Sequence, residues 1–169
     1  MNKQTILITS LIIAVSVSAG FAQTSTKITK QDLQSFTGNW KGTLTYLDYT
    51  SNKPYTMPAD IVIKQAGKSN VFIFSNLYPD EPKANSADTL TISGNGKMIN
   101  KESVRSKRKL ENGKLEIITE FNGVDGNDNK PAIIRTTYTV GKTTYTNIKE
   151  VQFNGQNEWI KRHEYSYTR

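Results

Sequence analysis

A chain of 169 residues with no cysteine excludes disulfide bonds, cysteine-ligated zinc and a thiol nucleophile. A single histidine excludes a multi-histidine metal centre. The formal net charge of +7 is spread along the chain, so it suggests a polyanion partner only where the basic residues cluster.

The first segment carries one positive charge, Lys3, then an apolar run from Ile6 to Val17, then the small-residue stretch Ser18-Ala19-Gly20-Phe21-Ala22. A charged start, an apolar middle and small residues before a cut describe a secretory leader. Cleavage is expected after Ala22, with Ala19 as the alternative. The run is shorter than the ~20 residues that cross a bilayer. With no cysteine to acylate, the expectation is a released protein, secreted or periplasmic, with no membrane anchor. About 147 residues remain, one domain's worth. They divide into an N-terminal segment, 23–37, and a main domain, 38–169.

Thr29-Lys30-Gln31-Asp32 fits a capping box ahead of a short helical turn that presents Leu33 and Phe36 on one face. From there the chain reads as strands. Trp40 to Tyr46 alternates apolar and polar residues, and Ala59 to Gln65 is rich in Ile and Val. Val71 to Leu77 is nearly continuous in apolar residues, as for a strand buried on both faces. Thr89 to Ser93 is short, and Lys97 to Leu110 reads as one long, increasingly charged strand. Asn112-Gly113 predicts a type I′ hairpin, because both residues tolerate positive φ. Lys114–Phe121, Ile133–Val140, Thr143–Phe153 and Glu158–Thr168 complete the set. The fold class is therefore all-β, an antiparallel up-and-down barrel of about eight or nine strands.

Gly38-Asn39-Trp40 after a helical turn, with Arg169 closing the last strand, resembles lipocalins and their relatives. The longer Gly-x-Trp-x-Gly-x-Leu-x-Tyr opening and the Glu-Tyr-x-x-x-Arg close are similar to uncharacterised exported lipocalin-like proteins of Bacteroidetes. The resemblance implies that Gly38, Trp40 and Arg169 close one end of the barrel, with the guanidinium stacked on the indole. It also implies an internal cavity for a small apolar or amphipathic ligand. Nitrobindins, a haem-binding barrel family, share the Gly-x-Trp-x-Gly opening and a His near the C-terminus. Leu44-Thr45-Tyr46 departs from their Gly-rich continuation.

In a closed meander the last strand pairs with the first. Period-two alternation then sets two options for the last strand. If Arg169 faces inward, so do Tyr167, Tyr165 and His163, opposite Trp40, Gly42, Leu44 and Tyr46. The other parity buries Arg162, Glu164 and Ser166, which needs full ionic compensation. The aromatic parity is preferred. It nominates Tyr46, His163 and Tyr165 as ligand-binding residues, with Arg135 as a charge anchor. Arg135 or Lys149 buried with a Glu is a further arrangement the sequence leaves open.

Other constellations read as structural. Lys101, Arg105, Lys107, Arg108 and Lys109 form the one basic cluster, without the interleaved aromatics of a nucleic-acid platform. Glu116 and Glu120 share a parity that would balance it across the Asn112-Gly113 hairpin. Asp125-Gly126-Asn127-Asp128-Asn129 starts like a calcium loop, but Lys130 stands where glycine is needed and Thr136 where a bidentate Glu is needed. No Gly-x-Ser-x-Gly is present, so no catalytic residue is assigned. No cofactor, metal or nucleic-acid partner is assigned either. The expectation is a monomeric binding protein. The alternatives are a filled barrel that works through its outer surface and a haem barrel that uses His163.

Overall fold

The computed structural model describes residues 25–48, 50–51 and 53–169. The leader expected at 1–22 lies outside the described residues. One short helix, α1 (Lys30–Gln34), precedes the strands β1 (Gly38–Asp48), β2 (Lys53–Pro58), β3 (Asp60–Gln65), β4 (Val71–Leu77) and β5 (Ser86–Thr91). Then come β6 (Met98–Ile99), β7 (Glu102–Lys109), β8 (Leu115–Asp125), β9 (Lys130–Val140), β10 (Thr144–Phe153) and β11 (Ile160–Thr168).

The expected all-β antiparallel barrel is the fold. Among the described residues the strand order is β5-β4-β3-β1-β11-β10-β9-β8-β7-β6, with β2 also paired to β1. The last strand does pair with the first: Gly42 faces Tyr167, Leu44 faces Tyr165 and Tyr46 faces His163. β2 and β3 run along the same side of β1 and are separated by Ala59, whose N–H donates to the Gly42 carbonyl at 2.9 Å.

Closure depends on a hairpin that the sequence pattern did not reveal. Lys97–Leu110 is not one strand. The chain reverses at Asn100-Lys101, with Asn100 at φ 52, so that Met98 pairs Ser103. Asn tolerates this left-handed conformation better than most residues. The short strand so formed reaches β5 through the Ile92–Ile99 bridge. The Asn100 side chain extends the contact. Its Oδ1 accepts from Thr91 N at 2.8 Å and its Nδ2 donates to Thr89 O at 3.2 Å. The barrel is thus nearly closed, with a thin seam between β5 and β6.

Two further expectations are corrected. β4 is not buried on both faces: Phe72 and Phe74 point into the core, while Ile73 between them is 38% exposed. A seven-residue apolar run still alternates because only one face has a barrel interior to enter. The Asn112-Gly113 turn is a hairpin but not type I′. Only Gly113 has positive φ, at 77, and its N–H bonds back to Leu110 O. This is the three-residue pattern in which a tight turn ends in a left-handed glycine.

The capping box forms as expected. Thr29 N donates to Asp32 Oδ2 at 2.7 Å, and Asp32 N donates to Thr29 Oγ1 at 3.4 Å. Lys107 Nζ adds an ion pair to Asp32 at 3.0 Å, which ties the helix to β7. The helix drops Leu33 and Phe36 into the barrel end, where they join Ile28, Trp40, Ile63 and Phe72 in the core.

Trp40 is the plug of this end. It is 1% exposed, its Nε1 donates to Phe36 O at 2.8 Å, and the Arg169 guanidinium sits 4.0 Å above its ring. Arg169 also donates to Thr37 O and Lys142 O, which pulls three chain segments together. The flanking glycines have physical reasons. Gly38 has φ 131, and a Cβ there would lie 2.9 Å from Arg169 Nη1. A Cβ at Gly42 would lie 2.1 Å from the Ser166 carbonyl oxygen, so any side chain there pushes β1 off β11. The Gly-x-Trp-x-Gly spacing is what lets the indole and the guanidinium stack at a closed barrel end.

Candidate functional site

The aromatic parity holds, and it builds a column of rings up the barrel wall. Tyr145 meets Phe36 at 5.1 Å and Trp40 at 5.8 Å. Tyr167 stacks on Tyr145 at 5.2 Å, and Tyr165 stacks on Tyr167 at 5.8 Å. His163 meets the Tyr165 ring edge-on at 5.3 Å. The column follows from strand geometry, because alternate residues of β11 share one face and β10 supplies Tyr145 directly across from Tyr167.

Against this column lies a cavity of about 260 Å³. Tyr138, Tyr145, Asn147, His163, Tyr165 and Tyr167 form one wall. Ile61, Phe74, Asn76, Asp88, Thr89 and Leu90 form the other, with Asn100 at the seam. Two polar atoms in the first wall are buried without a hydrogen-bond partner, the Tyr145 hydroxyl and Asn147 Oδ1. The two lie close together, and the Asn147 side chain partly offsets the upward push of burial on the Tyr145 hydroxyl. Such atoms are costly unless something polar meets them.

The ionisable groups on the walls are mostly neutral. Burial pushes the Tyr145, Tyr165 and Tyr167 hydroxyls well above the ordinary phenol range. Tyr165 is raised further by its hydrogen bond with Tyr78, oxygen to oxygen 3.0 Å. His163 is lowered from 6.5 to about 4, first by burial and then by the Lys149 charge. The imidazole is therefore uncharged at neutral pH, and among the described residues Asp88 is the one carboxylate on the cavity wall.

The His163 shift has a consequence for stability. Because the folded value lies below the unfolded value of 6.5, the unfolded chain binds the extra proton between pH 6.5 and about 4. Stability from this ring is complete above pH 6.5 and lost as pH falls through that window. The expected loss is up to about 3 kcal/mol, by linkage. Urea midpoints of the wild type and His163→Gln at pH 7 and pH 4.5 check this. The variant is expected to lose less stability on acidification; an equal loss in both would contradict it.

Beyond His163 lies an ionic cluster. Asp125, 5% exposed at its side chain, accepts from Arg162 at 2.6 Å and lies 3.5 Å from Lys149. A bulge in the β10–β11 pairing, between Lys149 and Glu150, brings Arg162 to the side of the cluster. So the rejected parity is not wholly excluded from the interior: Arg162 enters, and it is compensated. Asp125 belongs to the stretch that resembles a calcium loop, yet its carboxylate is engaged with cations. Among the described residues no group of three or more His, Asp or Glu is placed to hold a metal.

The expected site residues divide. His163 and Tyr165 line the cavity together. Tyr46 pairs with His163 in register but packs on Tyr55 of β2 at 5.6 Å and does not line the cavity. Arg135 is on the other side of its strand from the inward-facing Ile134, Thr136 and Tyr138. It donates to Glu120 at 2.7 Å and stacks on Trp159 at 3.7 Å. As a cavity anchor it is displaced, because β8–β9 register pairs it with Glu120 on the outer face. Gly38, Trp40 and Arg169 stand together at the closed end. Asp88, Asn76, Tyr138, Tyr145 and Asn147 were not anticipated. Tyr145 and Asn147 share a parity on one predicted strand, which is a signal only once the pairing with β11 is known.

The basic cluster is largely neutralised across its own hairpin and against α1. Arg105 pairs Glu120 at 2.9 Å, Arg108 pairs Glu116 at 2.6 Å, and Lys107 pairs Asp32. Carboxylates thus meet three of the five charges of this face.

The molecule defined by these observations is an antiparallel, nearly closed β-barrel with a small, tyrosine-walled cavity. No family model matches the chain, and no curated protein matches it. Among solved structures it is similar to Rv2717c from M. tuberculosis, at 14% identity over 82% of this chain and 95% of that chain, with a TM-score of 0.47.

Proposed function

We propose that this protein is an exported, monomeric, lipocalin-like carrier that holds one small apolar or amphipathic molecule inside its barrel. One observation carries the reading: the cavity of about 260 Å³ has stacked tyrosines for walls and two unpartnered buried polar atoms. Ligand pockets combine apolar walls with a few convergent polar groups in this way. Export rests on the leader read at 1–22.

Size narrows the guest. A cavity of about 150 Å³ accepts benzene, so this one suits a molecule of one or two rings. A filled barrel acting through its surface is disfavoured by the same space. The haem reading has one observation in its favour, the neutral His163 imidazole with no hydrogen bond to its ring nitrogens among the described residues. A haem would have to sit largely outside a cavity of this size.

Fluorescence titration with 2-naphthol tests the carrier reading. Saturable one-to-one binding is expected, weakened by about tenfold in Tyr145→Phe, the size of one lost hydrogen bond. Haemin is run beside it. A saturable Soret shift that disappears in His163→Ala, with no naphthol binding, would move the assignment to the haem reading.

A further inference from the structure

The polar groups on the cavity walls do not suit every small amphipathic guest equally. Asp88 brings a carboxylate to the wall. One of its oxygens accepts from Asn76 Nδ2 at 3.0 Å, and the same amide nitrogen reaches Ser86 Oγ at 3.2 Å. Asn76 thus steadies the carboxylate, while Asp88 Oδ1 keeps capacity for another donor. Asn147 Oδ1, buried in the facing wall, lies beside the Tyr145 hydroxyl without a well-formed hydrogen bond. The Tyr145 hydroxyl beside it is fully buried and also unpartnered. Neutral His163 adds no positive charge. The Lys149 charge is felt at His163, but Lys149 and Arg162 share Asp125 and do not line the cavity.

Among the described residues Asp88 is the one charged group on the walls, and the aromatic faces beside it favour cations. We infer that the guest is a small primary amine carrying an apolar ring, with its ammonium held at Asp88 and its ring among the tyrosines. This rests on the carrier reading and sharpens it. A carboxylate guest of the same shape would face Asp88 with a like charge. A neutral alcohol would satisfy one acceptor without the charge.

Three probes of matched shape test this by calorimetry on the full protein at pH 7: 2-phenylethylamine, 2-phenylethanol and 3-phenylpropionate. The amine is expected to bind about tenfold more tightly than the carboxylate, the scale of one charge-assisted hydrogen bond at a partly hydrated site. Asp88→Asn is expected to remove the amine's advantage, bringing its affinity down to that of the alcohol and the carboxylate. Asp88 is exposed at the β5 edge, so this variant is expected to fold, with its melting temperature as the control. Binding of all three with equal affinity, or a preference for the carboxylate, overturns the inference and leaves the carrier reading in place. Binding by none of the three overturns both.

Discussion

Trp40→Ala is expected to lower the unfolding free energy by about 3–5 kcal/mol, the range for emptying a buried aromatic site. The indole is 1% exposed and has three kinds of contact to lose. Its N–H bond to Phe36 holds the chain entry to β1, its face carries Arg169, and its edge meets Tyr145. Truncation leaves the Phe36 carbonyl unpartnered and the guanidinium without its platform. Neighbours cannot easily refill the space, because Gly38 and Gly42 on either side have no side chains to move. Urea denaturation of wild type and variant at pH 7 reads the effect. A loss below about 1 kcal/mol would mean that the barrel end is not closed by this residue.

Asp125→Ala is expected to cost about as much, 3–5 kcal/mol, because it leaves two cations with their shared counter-charge removed. Arg162 is 11% exposed at its side chain and Lys149 29%, so water cannot fully replace the carboxylate. Replacing the whole cluster is expected to be far milder: Asp125→Leu with Arg162→Met and Lys149→Met should recover most of the loss, since apolar packing substitutes well for a buried ion group. A second readout is independent of global stability. With Asp125 gone, the uncompensated Lys149 charge lies closer in effect to His163 and lowers its pKa further, which NMR titration of the imidazole follows. An unchanged His163 titration together with a triple variant as unstable as the single one would contradict this account of the cluster.

The barrel was legible because its evidence is local and periodic. Alternation in Trp40–Tyr46 and in His163-Glu164-Tyr165-Ser166-Tyr167 set the inward faces. Closure of a meander then brought Tyr46 opposite His163 and Arg169 onto Trp40. Three features were not legible, each for a physical reason. The Asn100-Lys101 reversal has no glycine and sits inside an otherwise strand-like run, so pattern alone joins β6 to β7. Arg162 turns inward because of a bulge, which shifts parity by one residue and leaves no trace in composition. Arg135 has the chemistry of an anchor, but its face is decided by its register with Glu120, a residue fifteen positions away in sequence.

The site was legible in part for the same reasons. His163 and Tyr165 come from one strand, where parity suffices. The opposite wall comes from β4 and β5, and Asp88 falls in a stretch that reads as loop because Pro79, Pro82 and several small polar residues surround it. The cavity is a property of which strands face one another across the interior, and that depends on long-range pairing rather than on any one segment.

Native mass spectrometry of the protein recovered from its own producing cells, followed by extraction of whatever is bound, tests the central claim most directly. The account predicts a stoichiometric adduct the size of a one- or two-ring molecule, lost or much reduced in Tyr145→Phe. A clean unliganded mass, together with no shift in melting temperature on adding 2-naphthol or 2-phenylethylamine, would contradict a carrier function for this barrel.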